Sequence, residues 1–343
     1  MPFATRPATR SHASIDDLLG DGRHRFFSHG YRSTNPRLRE LRVAHGISES
    51  TLTARAGIAA HGTWSLKGDA EQTVHLGTTD VLVLACRMAE ALLASRYSPE
   101  ILTTAYLESV TISGGGEPVE GALGDLECRA TLDRRSHGSP SVMRCSVASM
   151  TATLKVAHAS VELGLASVQS PSEEALVGDS GTRLYGDLWA QRHVSLEDVQ
   201  LEPELGTVGA QLSFDQPSQT QIAGRRGLEA AYAQSLCAID YFVATLQLGQ
   251  VLLYNFDAMD RAESNTMWMR KTRITLDRPN PAAAGGQRTA LTVRLQKNRL
   301  ILKDSESWRC ADILGTFDCG EVVCSVAHRL PAHPAAQAAE DGR

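Results

Sequence analysis

Two stretches of the chain are apolar at nearly every turn of a helix, and the rest of the pattern falls into place around them. The first, VLVLACRMAEALLAS, lies within 78–95, with Thr78, Thr79 or Asp80 placed to cap it. The second runs from about Gly227 to Asn255. A helix without a polar face belongs inside a core. Strand-like runs flank each one: 38–45 and 50–60 before the first helix, then 106–113, 125–135 and 141–158 after it. Leu52, Ala54 and Ala56 alternate with polar or small partners, and Met143, Cys145 and Val147 share one parity, as in a sheet with one buried face. The second half repeats this order, with strands at 193–201 and 207–214, the helix, and strands at 265–276, 288–303, 308–317 and 321–329.

Strand, strand, helix, strands, occurring twice, predicts an α+β protein with the order of a double hot-dog: two antiparallel sheets, each wrapped around a long central helix. The expected divisions are an N-terminal helix and loop (1–35), a first hot-dog domain (36–168), a Ser/Glu/Gly-rich connector (169–181), a second hot-dog domain (182–330) and an Ala/Pro/polar tail (331–343). Near the start, Ser14-Ile-Asp-Asp-Leu-Leu-Gly reads as a short helix with Ser14 as N-cap, stopping at Gly20.

Composition narrows the function classes. The 343 residues suit two cores, and the formal charge of −5 is spread without the basic stripe a nucleic-acid partner requires. Seven widely spaced cysteines, mostly in apolar segments and without a CxxC pair, read as reduced core thiols rather than a disulfide framework or a metal site. No apolar leader follows Arg6 and Arg10, and the longest apolar run, 241–256, is too short to span a bilayer, so a cytoplasmic protein with no membrane partner is expected. No G-x-G-x-x-G, Walker loop, H-E-x-x-H or G-x-S-x-G motif is present, and no cofactor is expected.

The richest stretch for chemistry is 214–231. It resembles the loop-into-helix segment of hot-dog β-hydroxyacyl dehydratases, in which a His, a Pro two residues on, a Gly and a Glu recur at the spacing of Asp215, Pro217, Gly224 and Glu229. Asp215 stands where those enzymes place His, so their dehydration chemistry does not transfer directly. A first-turn carboxylate beside free backbone N–H groups makes Asp215 and Glu229 candidate catalysts facing one pocket; otherwise they are a turn residue and a favourable helix charge. His75, in the matching position before the first helix, is the best-placed general base, and Asp80 either orients it or caps the helix. Asp240, set among apolar residues, needs a partner such as Arg270 or Lys271, or else a catalytic purpose. Arg225 and Arg226 suit a substrate phosphate or are solvated surface residues. Gly224, Tyr232, Asn265 and Trp268 complete the candidate substrate contacts, with Asp260, Arg261 and Glu263 either edging the pocket or forming a polar turn.

Taken over 14–329, the chain resembles the AvrD family. The resemblance is carried by Ser14-Ile-Asp-Asp-Leu-Leu-Gly, Arg25-Phe-Phe-Ser-His-Gly-Tyr-Arg, the span from His75 to Ala94, Ile239-Asp-Tyr-Phe-Val-Ala-Thr-Leu-Gln-Leu-Gly-Gln-Val and Ser264-Asn-Thr-Met-Trp-Met-Arg. It implies synthesis of acyl-sugar metabolites (syringolides) by joining a β-ketoacyl chain to a ketopentose such as xylulose. In architecture it is similar to the A-factor biosynthesis hot-dog proteins, which use a dihydroxyacetone-type alcohol. The implied partners are a β-ketoacyl thioester, on acyl carrier protein or CoA, and a small sugar. The expected reaction has His75, or Asp215 with Glu229, deprotonate a sugar hydroxyl that attacks a thioester held at the second helix's N-terminus. Two rivals stand beside it: a hot-dog thioesterase or dehydratase, and a non-catalytic metabolite-binding protein. Monomer and homodimer are both compatible with the pattern.

Overall fold

A computed structural model describes residues 9–62, 64–97, 99–133, 139–158, 167–215, 224–232, 234–277 and 288–331. The two long helices span Thr78–Arg96 and Ala238–Phe256, and both have 19 residues. Each opens with the same device. An extended residue, Gly77 or Cys237, precedes the helix, and its N–H donates to the carboxylate three positions on: Gly77 to Asp80 at 2.9 Å, Cys237 to Asp240 at 2.8 Å. The carboxylates thereby fill an orphan donor and meet the positive helix end. Both helices are buried almost throughout, as the missing polar face predicts; each Leu or Val so enclosed contributes about 1.5–3 kcal/mol.

The first-half strands are β1 (Arg10–Ser14), β2 (Thr34–His45), β3 (Glu49–Ala60), the small hairpin β4 (Leu66–Lys67) and β5 (Ala70–Glu71), β6 (Tyr106–Ser113), β7 (Leu126–Asp133), β8 (Ser141–Val147) and β9 (Met150–Ala157). The second half contributes β10 (Val168–Ser172), β11 (Val194–Glu202), β12 (Thr207–Phe214), β13 (Trp268–Leu276), β14 (Thr289–Lys303), β15 (Glu306–Phe317) and β16 (Gly320–Arg329). The first helix packs on β2, β3 and β6 to β9, the second on β11 to β16.

One large antiparallel sheet of 14 strands replaces the two expected sheets, in the order β1-β11-β12-β14-β15-β16-β13-β6-β9-β8-β7-β3-β2-β10. The halves fuse because β13 and β6 pair edge to edge, with Thr272 opposite Ile112 and Ile274 opposite Val110. Pairing satisfies backbone groups that two separate sheets would leave open. The short strands at the two ends cross over: β1 pairs with β11 of the second half, and β10 pairs with β2 of the first. Each is followed by a one-turn helix, Asp16–Leu19 or Glu174–Val177, closed by a glycine at positive φ (Gly20 at 75°, Gly178 at 88°). Matching bulges recur as well, with Glu40 at φ 55° in β2 and Asp198 at φ 51° in β11.

Three local expectations change. Ser14 does accept the Asp16 N–H at 3.0 Å, but the residues before it form β1 rather than loop. The segment 169–181, expected as a connector, carries most of β10 and a helical turn. Residues 141–158 are two strands, reversed at Ala148, which adopts φ 49°. The tail beyond Pro331 lies outside the described residues.

Candidate active site

A cavity of about 480 Å³ opens at the N-terminus of the first long helix, within the usual range for small-molecule sites. Its walls come from both halves. Gly77 and Thr78 begin the helix, Gly114, Gly115 and Gly116 follow β6, and Trp268, Met269 and Arg270 begin β13. The cavity therefore sits at the end of the β6–β13 seam, where the Gly114 N–H donates to the Arg270 carbonyl at 2.9 Å. The arm between β1 and β2 covers one side with Phe26 and Phe27. Gly30 is required there, because a Cβ would lie 1.7 Å from the Trp64 carbonyl oxygen.

His75 is held half-buried in this cavity. Its ring stands edge-on to Trp64 (centroids 4.6 Å apart) and tilted against Trp268 (5.3 Å). The chain beside it is tied by the Leu76 N–H to the Val119 carbonyl at 2.8 Å. Nδ1 lies 3.1 Å from the Thr73 carbonyl oxygen. A carbonyl only accepts, so Nδ1 carries the proton and Nε2 keeps its lone pair. Burial lowers the imidazole pKa, partly opposed by the Thr73 bond and by Glu120. A neutral imidazole with a fixed tautomer is the form a general base needs at neutral pH. Beside it, Asp80 consumes only the Gly77 donor; the N–H groups of Thr78 and Thr79 have no partner inside the helix. Such donors stabilise a developing oxyanion.

Of the residues singled out from sequence, His75 and Trp268 come together here, and Asn265 sits just outside. Asn265 bonds through its amide to the Arg329 carbonyl (3.2 Å), and its own carbonyl accepts from Lys67. Asp80 is a cap: buried, bonded to Thr34 at 2.7 Å as well as to Gly77, with burial raising its pKa to about 6. Arg261 edges the cavity. Arg25, Lys67 and Trp64 also line it and were not singled out for chemistry. Arg25 lay in the quoted Arg25-Phe-Phe segment, whereas nothing marks Lys67 beyond a charge in a polar loop.

The second-helix candidates are elsewhere, and several expectations fail there. That helix begins at Ala238, not Gly227, because Gly227 (φ 82°) and Glu229 (φ 64°) take left-handed backbone that no helix admits. Glu229 is therefore a buried loop residue. It accepts from the Leu107 N–H at 3.0 Å and the Tyr185 hydroxyl at 2.9 Å, and burial raises its pKa to about 7. Asp215 is exposed at the end of β12, so the two carboxylates do not face one pocket. Asp240 is the helix cap, paired with Arg192 at 2.6 Å rather than with Arg270 or Lys271. Its buried charge is thus answered structurally. Gly224 and Arg226 are exposed, Arg225 is half-buried near Arg192, and Tyr232 is buried with its ring 5.8 Å from Tyr106. Asp215, Gly224, Arg225, Arg226, Glu229, Tyr232 and Asp240 are all absent from the described lining, whereas Arg270 is on it. Residues 216–223 of the dehydratase-like stretch, Pro217 among them, lie outside the described residues.

Among the described residues no helix is long and apolar enough to cross a membrane. Solved structures similar to the chain include three at low identity. A tesB protein of Mycobacterium avium subsp. paratuberculosis is 10% identical, with 84% of this chain and 96% of that one covered at a TM-score of 0.40. The dehydratase domain of PpsC from Mycobacterium tuberculosis, solved with C12:1-CoA, is 11% identical, with 88% and 100% covered at 0.40. A conserved hot-dog-fold protein from Alicyclobacillus acidocaldarius is 11% identical, with 85% and 96% covered at 0.37. No curated protein matches the sequence. The sequence profile of the family described as Pseudomonas avirulence D protein (AvrD) matches residues 10–331, and the chain belongs to that family.

Proposed function

We propose that the protein is a biosynthetic acyltransferase of double hot-dog architecture, joining a β-ketoacyl thioester to a small sugar or dihydroxyacetone-type alcohol. Its two hot-dog units would correspond to 36–168 and 182–330. The observation that carries the reading is the pairing, in one cavity, of a neutral His75 having a free Nε2 with the uncapped donors of a buried helix N-terminus. Nε2 takes the proton of an acceptor hydroxyl as its oxygen bonds to the thioester carbon. The carbonyl oxygen, now an oxyanion, is held by the N–H of Thr78, which lines the cavity. Collapse breaks the C–S bond, and the His75 imidazolium returns its proton to the departing thiolate. The acyl-sugar can then close its ring without further help. The site is thereby moved from the second helix, favoured by sequence, to the first.

The test is mass spectrometry of the protein incubated with a β-ketoacyl thioester, with and without xylulose or dihydroxyacetone. An acyl-sugar mass that requires the sugar is the expected product. Free acid or an enoyl product, formed whether or not sugar is present, would make the protein a thioesterase or dehydratase. Absence of any product alongside tight binding would make it a metabolite-binding protein.

A further inference from the structure

One wall of the cavity is built from cations whose hydrogen bonds are incomplete. Arg25 has only 2% of its side chain exposed. It gives one N–H to the carboxylate of Asp16, itself largely in solvent, while its Nε and Nη1 are buried without an acceptor among the described residues. Leaving a buried donor unpaired costs about 1–3 kcal/mol. Lys67, at the β4 edge, donates to the Asn265 carbonyl, and Arg261 donates to the His24 carbonyl at 2.9 Å. The two segments touch, since a Cβ on Gly68 would meet the Ala262 methyl at 3.8 Å. The charges repel one another. Lys67 has its pKa lowered to about 7 by burial and by Arg261, and Arg25 is brought down to about 10 by burial, with Asp16 opposing and Arg261 adding to the effect.

The neighbouring groups point to the same kind of ligand. Trp64 and Trp308 also line the cavity, and their indole Nε1 atoms are buried without an acceptor among the described residues. Every such unpartnered buried atom on the described lining is thus an N–H donor. Against these cations, Glu117 is the one carboxylate on the described lining, and it is exposed. A ligand here must bring oxygen acceptors and negative charge. With Arg25 balanced in part by Asp16, the excess of positive charge from Arg261, Arg270, Lys303 and a partly protonated Lys67 suits a phosphate.

We propose that Arg25, Lys67 and Arg261 form a phosphate subsite, so that one of the two acyl-transfer substrates carries a phosphate into the cavity; this rests on the cavity being the acyl-transfer pocket. The phosphate is either a monoester on the sugar acceptor or the bridging phosphate at the end of the pantetheine arm of the acyl donor. Both would use the same three cations.

Calorimetry at pH 7 compares xylulose 5-phosphate with xylulose, and 4′-phosphopantetheine with pantetheine. The phosphorylated member of one pair is expected to bind roughly ten- to a hundredfold more tightly, as charge-assisted hydrogen bonds to a dianion would give. Arg261→Gln and Lys67→Met should each remove about tenfold of that preference while leaving the unphosphorylated ligand and the melting temperature unchanged. The pair that discriminates identifies which substrate carries the phosphate. Equal binding within both pairs, or a preference that survives both substitutions, would overturn the subsite. No thioester is present, so failure of acyl transfer cannot produce or mask either result.

Discussion

The two long helices start alike and end up with different surroundings. Both have a capping carboxylate in the same place, Asp80 and Asp240, yet one N-terminus borders a cavity and the other is bound by a buried ion pair to Arg192. Ahead of the second, residues 227–232 are tied to other parts of the chain. The Leu228 N–H donates to Glu90 at 2.8 Å, the Glu229 N–H to the Ala105 carbonyl at 2.9 Å, and Glu229 takes the Leu107 and Tyr185 donors. Arg183 pairs with Glu90 as well, and Arg192 closes over Asp240. At the first, the β4–β5 hairpin occupies the corresponding stretch of chain before the helix and leaves the pocket open. Glu90 and Gln250 hold the same position in the two helices; the acid is locked in the packed region, and the amide lines the cavity. Two helices opened by the same cap thus border, in one case, a cavity and, in the other, a hydrogen-bonded and ionic joint.

Substitutions should separate the two regions, beginning with the largest effect. His75→Gln is expected to lower kcat/KM for acyl transfer by about 10²–10⁴, since it removes a base, while the lost ring contacts with Trp64 and Trp268 lower the melting temperature only slightly. Arg192→Ala strands the Asp240 carboxylate, and denaturant titration should show a loss of about 3–5 kcal/mol. Gly227→Ala places a Cβ 2.5 Å from the Glu90 carboxylate at φ 82°, and should cost about 1–3 kcal/mol in the same titration. Glu229→Gln should change the pH dependence more than the stability itself. The Glu229 carboxyl titrates near 4.5 when unfolded and near 7 when folded. Its contribution is therefore full below 4.5 and is lost as pH rises through 7. Melting curves from pH 4 to 8 should show a shallower decline for the Gln variant. Asp215→Asn, on an exposed strand end, should shift stability by less than about 0.5 kcal/mol and leave turnover unaltered. A large loss of turnover there would return the second helix to candidacy.

What the sequence made legible follows from what is local. Both helices, nearly every long strand and the Asp80 cap could be read because periodicity and capping are short-range signals. His75 was legible from its place before a helix. The start of the second helix was not: 227–232 has helix-forming composition, and its loop conformation is imposed by Glu90, Arg183 and Tyr185, far away in the chain. The partner of Asp240 was missed for the same reason, as Arg192 precedes it by two strands rather than following it on the next. Fusion into one sheet depends on the β6–β13 pairing, between segments whose alternation looks like that of any half-buried strand. Asp215 shows the converse: a spacing match on an exposed strand end, where its N–H is tied to the His193 carbonyl at 3.0 Å.

The most direct measurement is a structure of the protein bound to a β-ketoacyl pantetheine in which an amide replaces the thioester. The acyl carbonyl oxygen should lie about 3 Å from the N–H of Thr78, with the β-ketoacyl chain in the His75 cavity and the Glu229 side closed as before. An acyl group seated at Cys237, with 227–232 displaced, would contradict the assignment of chemistry to the first helix.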